Sequence, residues 1–252
     1  MLKRRQLLGL PALMGPISAQ AAAAQLQAFA HALPPLAFEQ DGQLTGLAVD
    51  LLRRMASTLG MQLELLLQPR LRAEKSFQDA PESLLFPLAR LPEREGRFRW
   101  VGPYMPRRVA LFRLRSRGDI RYRGLQQLDG MRIGVTSGTA TLEQLLAAGL
   151  KPGQDLELAP SYDANVRKLL AGRMDLLAIG ELNLFWQLRL MQESPERVKA
   201  VAVLDESADY CFGLHPEADP ALAAKLQQAF DQLQRNGTVS ALKRSYGLPV
   251  DD

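Results

Sequence analysis

Cysteine is nearly missing from this chain. The single thiol, Cys211, has no partner for an internal disulfide, so the fold depends on its core. It sits in the apolar run Tyr210-Cys211-Phe212-Gly213-Leu214 and reads as a small packed hydrophobe. With only two histidines, widely separated from that cysteine, a structural zinc site is not expected, and no cofactor is predicted. No apolar run reaches the roughly 20 residues that span a bilayer. The longest candidate, residues 7–17, is interrupted by Gly9, Pro11, Gly15 and Pro16. Basic excess is also missing: residues 1–24 hold three basic residues and no acid, which accounts for three of the four net positive charges. The remainder is close to neutral, which argues against nucleic acid as a partner. Neither an internal repeat nor a low-complexity stretch appears after residue 24.

What is present begins with the N-terminus. Lys3, Arg4 and Arg5 precede the short apolar segment, and Ala19-Gln20-Ala21 and Ala22-Ala23-Ala24 each fit a small-x-small cleavage site. This predicts a cleaved signal peptide over residues 1–24 and a periplasmic protein. The Arg4-Arg5 pair allows twin-arginine export, with Lys3 where serine or threonine is usual, and the Sec route stays open. No cysteine lies near the cleavage region, so a lipoprotein anchor is not expected.

The rest of the chain, 47% hydrophobic and 23% charged over its full length, has the composition of a globular protein. Short apolar runs alternate with helical periodicity. Strands are predicted over 26–30, 62–67, 83–88, 109–114, 132–136, 176–179, 198–204 and 211–214. Helices are predicted over 47–59, where Ala48, Leu51, Leu52, Met55 and Leu59 share a face, and over 139–148, 161–171 and 182–191. Two more close the chain, the first carrying Leu222, Leu226, Ala229, Phe230 and Leu233 on one face. Strands alternating with helices predict an α/β fold with mostly parallel sheet.

Five segments, in order, carry a resemblance. They are Leu33-Pro34-Pro35-Leu36-Ala37-Phe38 with Asp41-Gly42 and Leu44-Thr45-Gly46; Leu91-Pro92-Glu93-Arg94 with Phe98 and Gly102-Pro103-Tyr104; Leu128-Asp129-Gly130 through Ser137-Gly138-Thr139; Leu169-Leu170-Ala171-Gly172-Arg173-Met174-Asp175; and Asn236-Gly237-Thr238. Together they resemble the family 3 solute-binding proteins, the periplasmic receptors of amino-acid ABC transporters. The resemblance implies a two-lobe periplasmic-binding-protein-like fold (type II) with two crossover hinge strands, near 108–115 and 201–209. Lobe 1 is then residues 25–111 plus 207–252, and lobe 2 residues 112–206. It also implies a monomer that holds a small-molecule ligand between the lobes and delivers it to a membrane permease.

The same resemblance supplies site residues. Arg94 matches the arginine that clamps a ligand carboxylate, a task suited to a planar, permanently charged fork. From local composition alone it reads as one charge in a solvated loop with Arg90, Glu93, Glu95, Arg97 and Arg99. Ser137, Gly138 and Thr139 form a turn into a helix, where free N–H groups suit an anion; plain capping is the other reading. Phe38 and Tyr104 are expected to wall the cleft, though either could be core, and Trp100 and Trp186 are more often core. His31 falls near the cleft mouth, but a lone histidine is more often structural. Four positions depart from the family: Ala89 and Leu91 stand where serine and threonine are usual, Pro87 where a small polar residue or glycine is common, and Gly180 where an aspartate binds the ligand ammonium. Glu181 is the neighbouring substitute. Carboxylate recognition is therefore expected and ammonium recognition is not assured. Asp175 is expected to support a turn. The alternatives are a cyclic-dehydratase-like enzyme with Glu181 as its acid or base, a receptor that feeds a membrane sensor, and a degenerate member with a weak cleft.

Overall fold

The computed structural model describes residues 25–250. The predicted signal peptide, residues 1–24, lies outside the described residues. Three parallel strands, β1 (Gln25–Ala30), β4 (Gln62–Leu67) and β5 (Ser83–Ala89), form one half of the main sheet. Every residue of β5 is buried, as suits a central strand covered on both faces. A second parallel set, β7 (Ile133–Thr136), β8 (Leu156–Ala159) and β9 (Leu176–Gly180), forms the other half.

Two long strands join the halves. β6 (Arg99–Leu114) and β10 (Val198–Leu214) run antiparallel to each other along most of their length. β10 pairs with β5 through Tyr210 to Leu214, and β6 pairs with β9 through Val109 to Phe112. The result is one eight-stranded sheet in the order β4-β1-β5-β10-β6-β9-β7-β8. A separate hairpin, β2 (Phe38–Gln40) and β3 (Gln43–Thr45), turns at Asp41-Gly42, both at positive φ, as a tight hairpin turn requires.

The helices cover the sheet where their apolar faces predict. On one side of the first half, α1 (Leu47–Thr58), α6 (Pro220–Arg235) and α7 (Thr238–Ser245) share a core with Leu26, Phe86 and Phe212. On the other side, α2 (Arg70–Gln78) buries Ala73 and Phe77 against Phe29 and Leu85. In the second half, α4 (Tyr162–Leu170) and α5 (Glu181–Leu190) pack on Ala110, Phe112 and Ile179. There α3 (Ala140–Ala147) packs Leu145 on Leu111, Ile133 and Val135. Each such buried Leu, Ile or Phe contributes about 1.5–3 kcal/mol. Cys211 is buried at 1% exposure, and burial pushes its thiol up to about 12. Asp175 accepts from the Arg132 N–H at 3.2 Å and so ties the turn before β9 to β7.

Several elements differ from expectation. The centre of the sheet is antiparallel, because β6 and β10 pass between the halves instead of crossing over through a helix. β6 starts at Arg99, ten residues before the strand predicted from 109, and β10 runs unbroken over Val198–Leu214, through the crossover expected near 201–209. Those residues cross between two cores and flank a cleft, so neither face of the strand shows the apolar alternation of a packed strand. α2 presents only two buried residues, too few for a visible periodicity. β8 is four residues long and buries only its ends.

Candidate functional site

A cavity of about 640 Å³ opens between the two halves of the sheet. The first half contributes His31, Pro34, Gln68, Arg70, Ala89 and Arg94; the second contributes Thr136 to Thr139, Tyr162, Gly180, Asn183 and Gln187. Arg107 and Tyr210, from the two joining strands, also line it. The strand ends of both halves meet here, the usual position for a site in open α/β sheets.

Arg94 sits on a short 3-10 turn, Pro92–Arg94, just after β5. The residue is 8% exposed, yet its side chain makes one hydrogen bond among the described residues, from Nη2 to Glu143 Oε2 at 3.3 Å. Burial, and then the adjacent Arg70 charge, lower its pKa. A buried guanidinium with most of its five donors unused is a strong anion station. Arg70, the first residue of α2, reaches across the cleft: it donates to the Gly138 carbonyl and pairs with Glu143 at 3.1 Å. His31 lines the same cleft within reach of both charges, and its Nδ1 is shielded from solvent with no hydrogen-bond partner among the described residues. Burial first, then Arg70 and Arg94, hold its pKa down to about 3, so the imidazole is neutral at pH 7.

The turn opposite is partly committed to structure. The Ser137 N–H donates to Ala159 O at 2.9 Å. Thr139 Oγ1 donates to Thr136 O at 2.7 Å and accepts from the Leu142 N–H at 3.3 Å, the cap of α3. The Ser137 side chain makes no hydrogen bond among the described residues, and Gly138, at φ 67°, keeps the backbone open toward the cleft.

Behind the cleft, the 4%-exposed Arg107 pairs with Asp205 and donates to Gln144 Oε1 at 3.2 Å. Burial pushes the Asp205 carboxyl up, but hydrogen bonds from Gln144 and Ser207 and the Arg107 charge outweigh it and hold the pKa to about 2. The carboxylate that lines the cleft, Asp163, is held by Arg167 one turn along at 3.1 Å. Tyr162 and Tyr210 present phenols whose pKa values burial raises. No cluster of histidine, cysteine and carboxylates able to hold a metal is found among the described residues.

Thus Arg94, Ser137, Gly138 and Thr139 come together in the cleft, and Phe38, Tyr104 and Glu181 do not. Tyr104 is 2% exposed and packs on Phe212 at 4.7 Å between ring centroids, because β6 turns it into the core of the first half. Phe38, on the hairpin, packs against Trp186 at 5.3 Å, outside the cleft. Glu181 opens α5 on the far side of the joining strands, paired with Arg108. Consecutive residues on β6 face opposite ways, so Arg107 meets the cleft and Arg108 draws Glu181 away from it.

The residues missed by sequence reasoning are Arg70, Arg107, Asn183 and Gln187. Arg70 carries one visible signal, a positive residue in the first turn of a helix, where the dipole disfavours it. Asn183, 2% exposed, donates from Nδ2 to Pro34 O at 2.6 Å, bridging the two halves. Its Oδ1 lies 2.8 Å from the point where a Cβ on Gly180 would stand.

Comparison with known proteins agrees with this architecture. The sequence profile of the bacterial extracellular solute-binding proteins, family 3, matches residues 27–249. Membrane-bound lytic murein transglycosylase F of Ectopseudomonas mendocina (strain ymp) is 25% identical over 224 residues, covering 86% of this chain. The match spans 45% of that relative, so the chain corresponds to less than half of it. A histidine kinase sensor domain with similarity to periplasmic binding proteins superposes with a TM-score of 0.74 at 21% identity, over 88% of this chain and 95% of that one. A Streptococcus pneumoniae ABC uptake transporter substrate-binding protein with bound histidine gives a TM-score of 0.75 at 17% identity, over 88% and 91%.

Proposed function

The chain belongs to family 3 of the bacterial extracellular solute-binding proteins, and from that premise we propose that it captures a small carboxylate-bearing ligand in the cleft between its sheet halves. One observation carries this reading: Arg94 is a nearly buried guanidinium that faces the cleft with most of its donors unused. A ligand carboxylate supplies the missing bidentate partner, and the Ser137-Gly138-Thr139 turn faces it from the other half. The halves correspond to lobes 25–111 plus 207–252 and 112–206, with β6 and β10 as the hinge. A ligand that touches both lobes favours the closed form by its differential affinity. Closure is then what a membrane permease of the ABC type reads, with the protein a periplasmic monomer. Among the described residues no helix is long and apolar enough to cross a membrane.

The protein is a receptor and not an enzyme in this proposal. The dehydratase-like alternative named Glu181 as its acid or base, and Glu181 stands outside the cleft in an ion pair with Arg108. The experiment is thermal unfolding of the mature protein against a panel of amino acids and organic acids. Ligand at a hundredfold excess over Kd adds about 2.7 kcal/mol to the stability of the folded state. Arg94→Ala is expected to abolish the shift for every carboxylate. An unchanged shift in that variant overturns the site.

A further inference from the structure

We propose that the cleft selects a 2-hydroxy carboxylate over the corresponding amino acid, with Asn183 Oδ1 accepting from the 2-hydroxyl while Arg94 holds the carboxylate. This rests on the carboxylate reading above and names the ligand class for the same cleft.

The orientation of the Asn183 amide is fixed by its partner. Pro34 O can only accept, so the group 2.6 Å from it is the NH₂, and the oxygen points the other way. That oxygen lies 2.8 Å from the absent Cβ of Gly180 and takes no hydrogen bond from the described residues. Both Asn183 and Gly180 line the cleft. No described residue donates to that oxygen, which leaves it free to accept from a ligand hydroxyl that enters the cleft. Gly180 is what makes the arrangement possible, since any side chain there would displace the amide. An aspartate at this point would offer a full negative charge; this chain offers a neutral oxygen instead.

The charges around it reject an ammonium group. Arg70, Arg94 and Arg107 line the cleft, and the one carboxylate on its wall, Asp163, is engaged by Arg167. Glu143 is likewise engaged by Arg70 and Arg94, and Asp205 by Arg107, so an ammonium finds no free carboxylate to pair with, whereas a hydroxyl donates a hydrogen bond with no charge to balance. Pro87, Leu88, Ala89 and Val109 supply an apolar wall suited to a hydrocarbon body.

The test is calorimetric titration with a matched series that shares one carbon skeleton: 2-hydroxy-4-methylpentanoate, leucine, 4-methyl-2-oxopentanoate and 4-methylpentanoate. The hydroxy acid is expected to bind about tenfold more tightly than the unsubstituted acid, the amount one hydrogen bond supplies, and leucine more weakly than the hydroxy acid. Asn183→Ala should bring the hydroxy-to-unsubstituted ratio close to one while 4-methylpentanoate still binds. Gly180→Ala, which keeps the amide but displaces its oxygen, should do the same. Leucine or the oxo acid binding as well as the hydroxy acid overturns the inference alone, as does a ratio that survives both variants. Absence of binding by all four overturns the carboxylate reading and the inference with it.

Discussion

Gly180→Ala isolates one steric contact, which makes its consequence calculable. Gly180 lies at φ −62°, ψ 133°, a conformation open to any residue, so alanine brings no backbone strain. By backbone criteria alone it would stabilise the protein by about 0.4–1 kcal/mol, through the smaller entropy of the unfolded chain. The structure predicts the opposite. The new Cβ would stand 2.8 Å from Asn183 Oδ1, closer than such contacts occur, while the next neighbour, Arg108 O, is at an ordinary 3.8 Å. Asn183 must therefore move, and its bond to Pro34 O is stretched or lost. Overpacking costs about 1–3 kcal/mol, and loss of the hydrogen bond to the half-buried Pro34 carbonyl about 0.5–1.5 more. Set against the entropic gain of about 0.4–1, the net expectation is a loss of about 1–4 kcal/mol. Urea unfolding of Gly180→Ala, Asn183→Ala and the double variant closes a cycle. Because both singles act on the same amide, the double should cost less than their sum by about 1–2 kcal/mol. A Gly180→Ala protein as stable as the parent, or strictly additive energies, would refute the reasoning.

Other perturbations have equally definite outcomes. Arg107→Ala leaves the Asp205 carboxylate, whose side chain is 10% exposed, without its cation; the loss should be on the order of 3 kcal/mol by urea unfolding. Asp205→Asn strands the 4%-exposed Arg107 cation and should cost about as much, while the double variant Arg107→Ala/Asp205→Asn should cost less than the sum; additive losses would argue against the ion-pair account. His31 has a folded-state pKa of about 3 against 6.5 when unfolded, so it binds a proton only in the unfolded chain between those values. Its contribution to stability is complete above pH 6.5 and falls as pH drops toward 3, by up to about 1.4 kcal/mol per pH unit. His31→Gln should flatten the melting temperature between pH 4.5 and 6.5, and an unchanged slope would place the buried proton site elsewhere. Gly46→Ala combines φ 125° with a Cβ 2.4 Å from Leu36 O and should cost about 3 kcal/mol, visible as a lower melting temperature.

The helices most legible in the sequence were those with a full apolar stripe. α1 and α6 each bury a run of residues at helical spacing, and both lie where that spacing predicts. α2 buries two residues and was invisible, and Arg70 was missed with it. For the cleft, the turn chemistry around Arg94 and Ser137-Gly138-Thr139 was visible as local wording. Tyr104 and Glu181 were misplaced because a residue's side of a strand depends on where that strand begins, and the start of β6 was hidden by Gly102, Pro103 and Pro106.

By itself the sequence determined the class of the fold, through periodicity and turn residues that act over a few neighbouring positions, and its family, through five segments in order; the resemblance then singled out Arg94 as the candidate anion clamp. Only the tertiary structure decided which groups share the cleft. Arg70 and Gly138 are far apart in the chain and meet because β6 and β10 bring the two halves together. Asn183 comes to stand at the place of Gly180's missing side chain only because α5 is held against Pro34 from the other half. A neutral acceptor in place of a carboxylate is a property of that packing, since neither residue alone carries it.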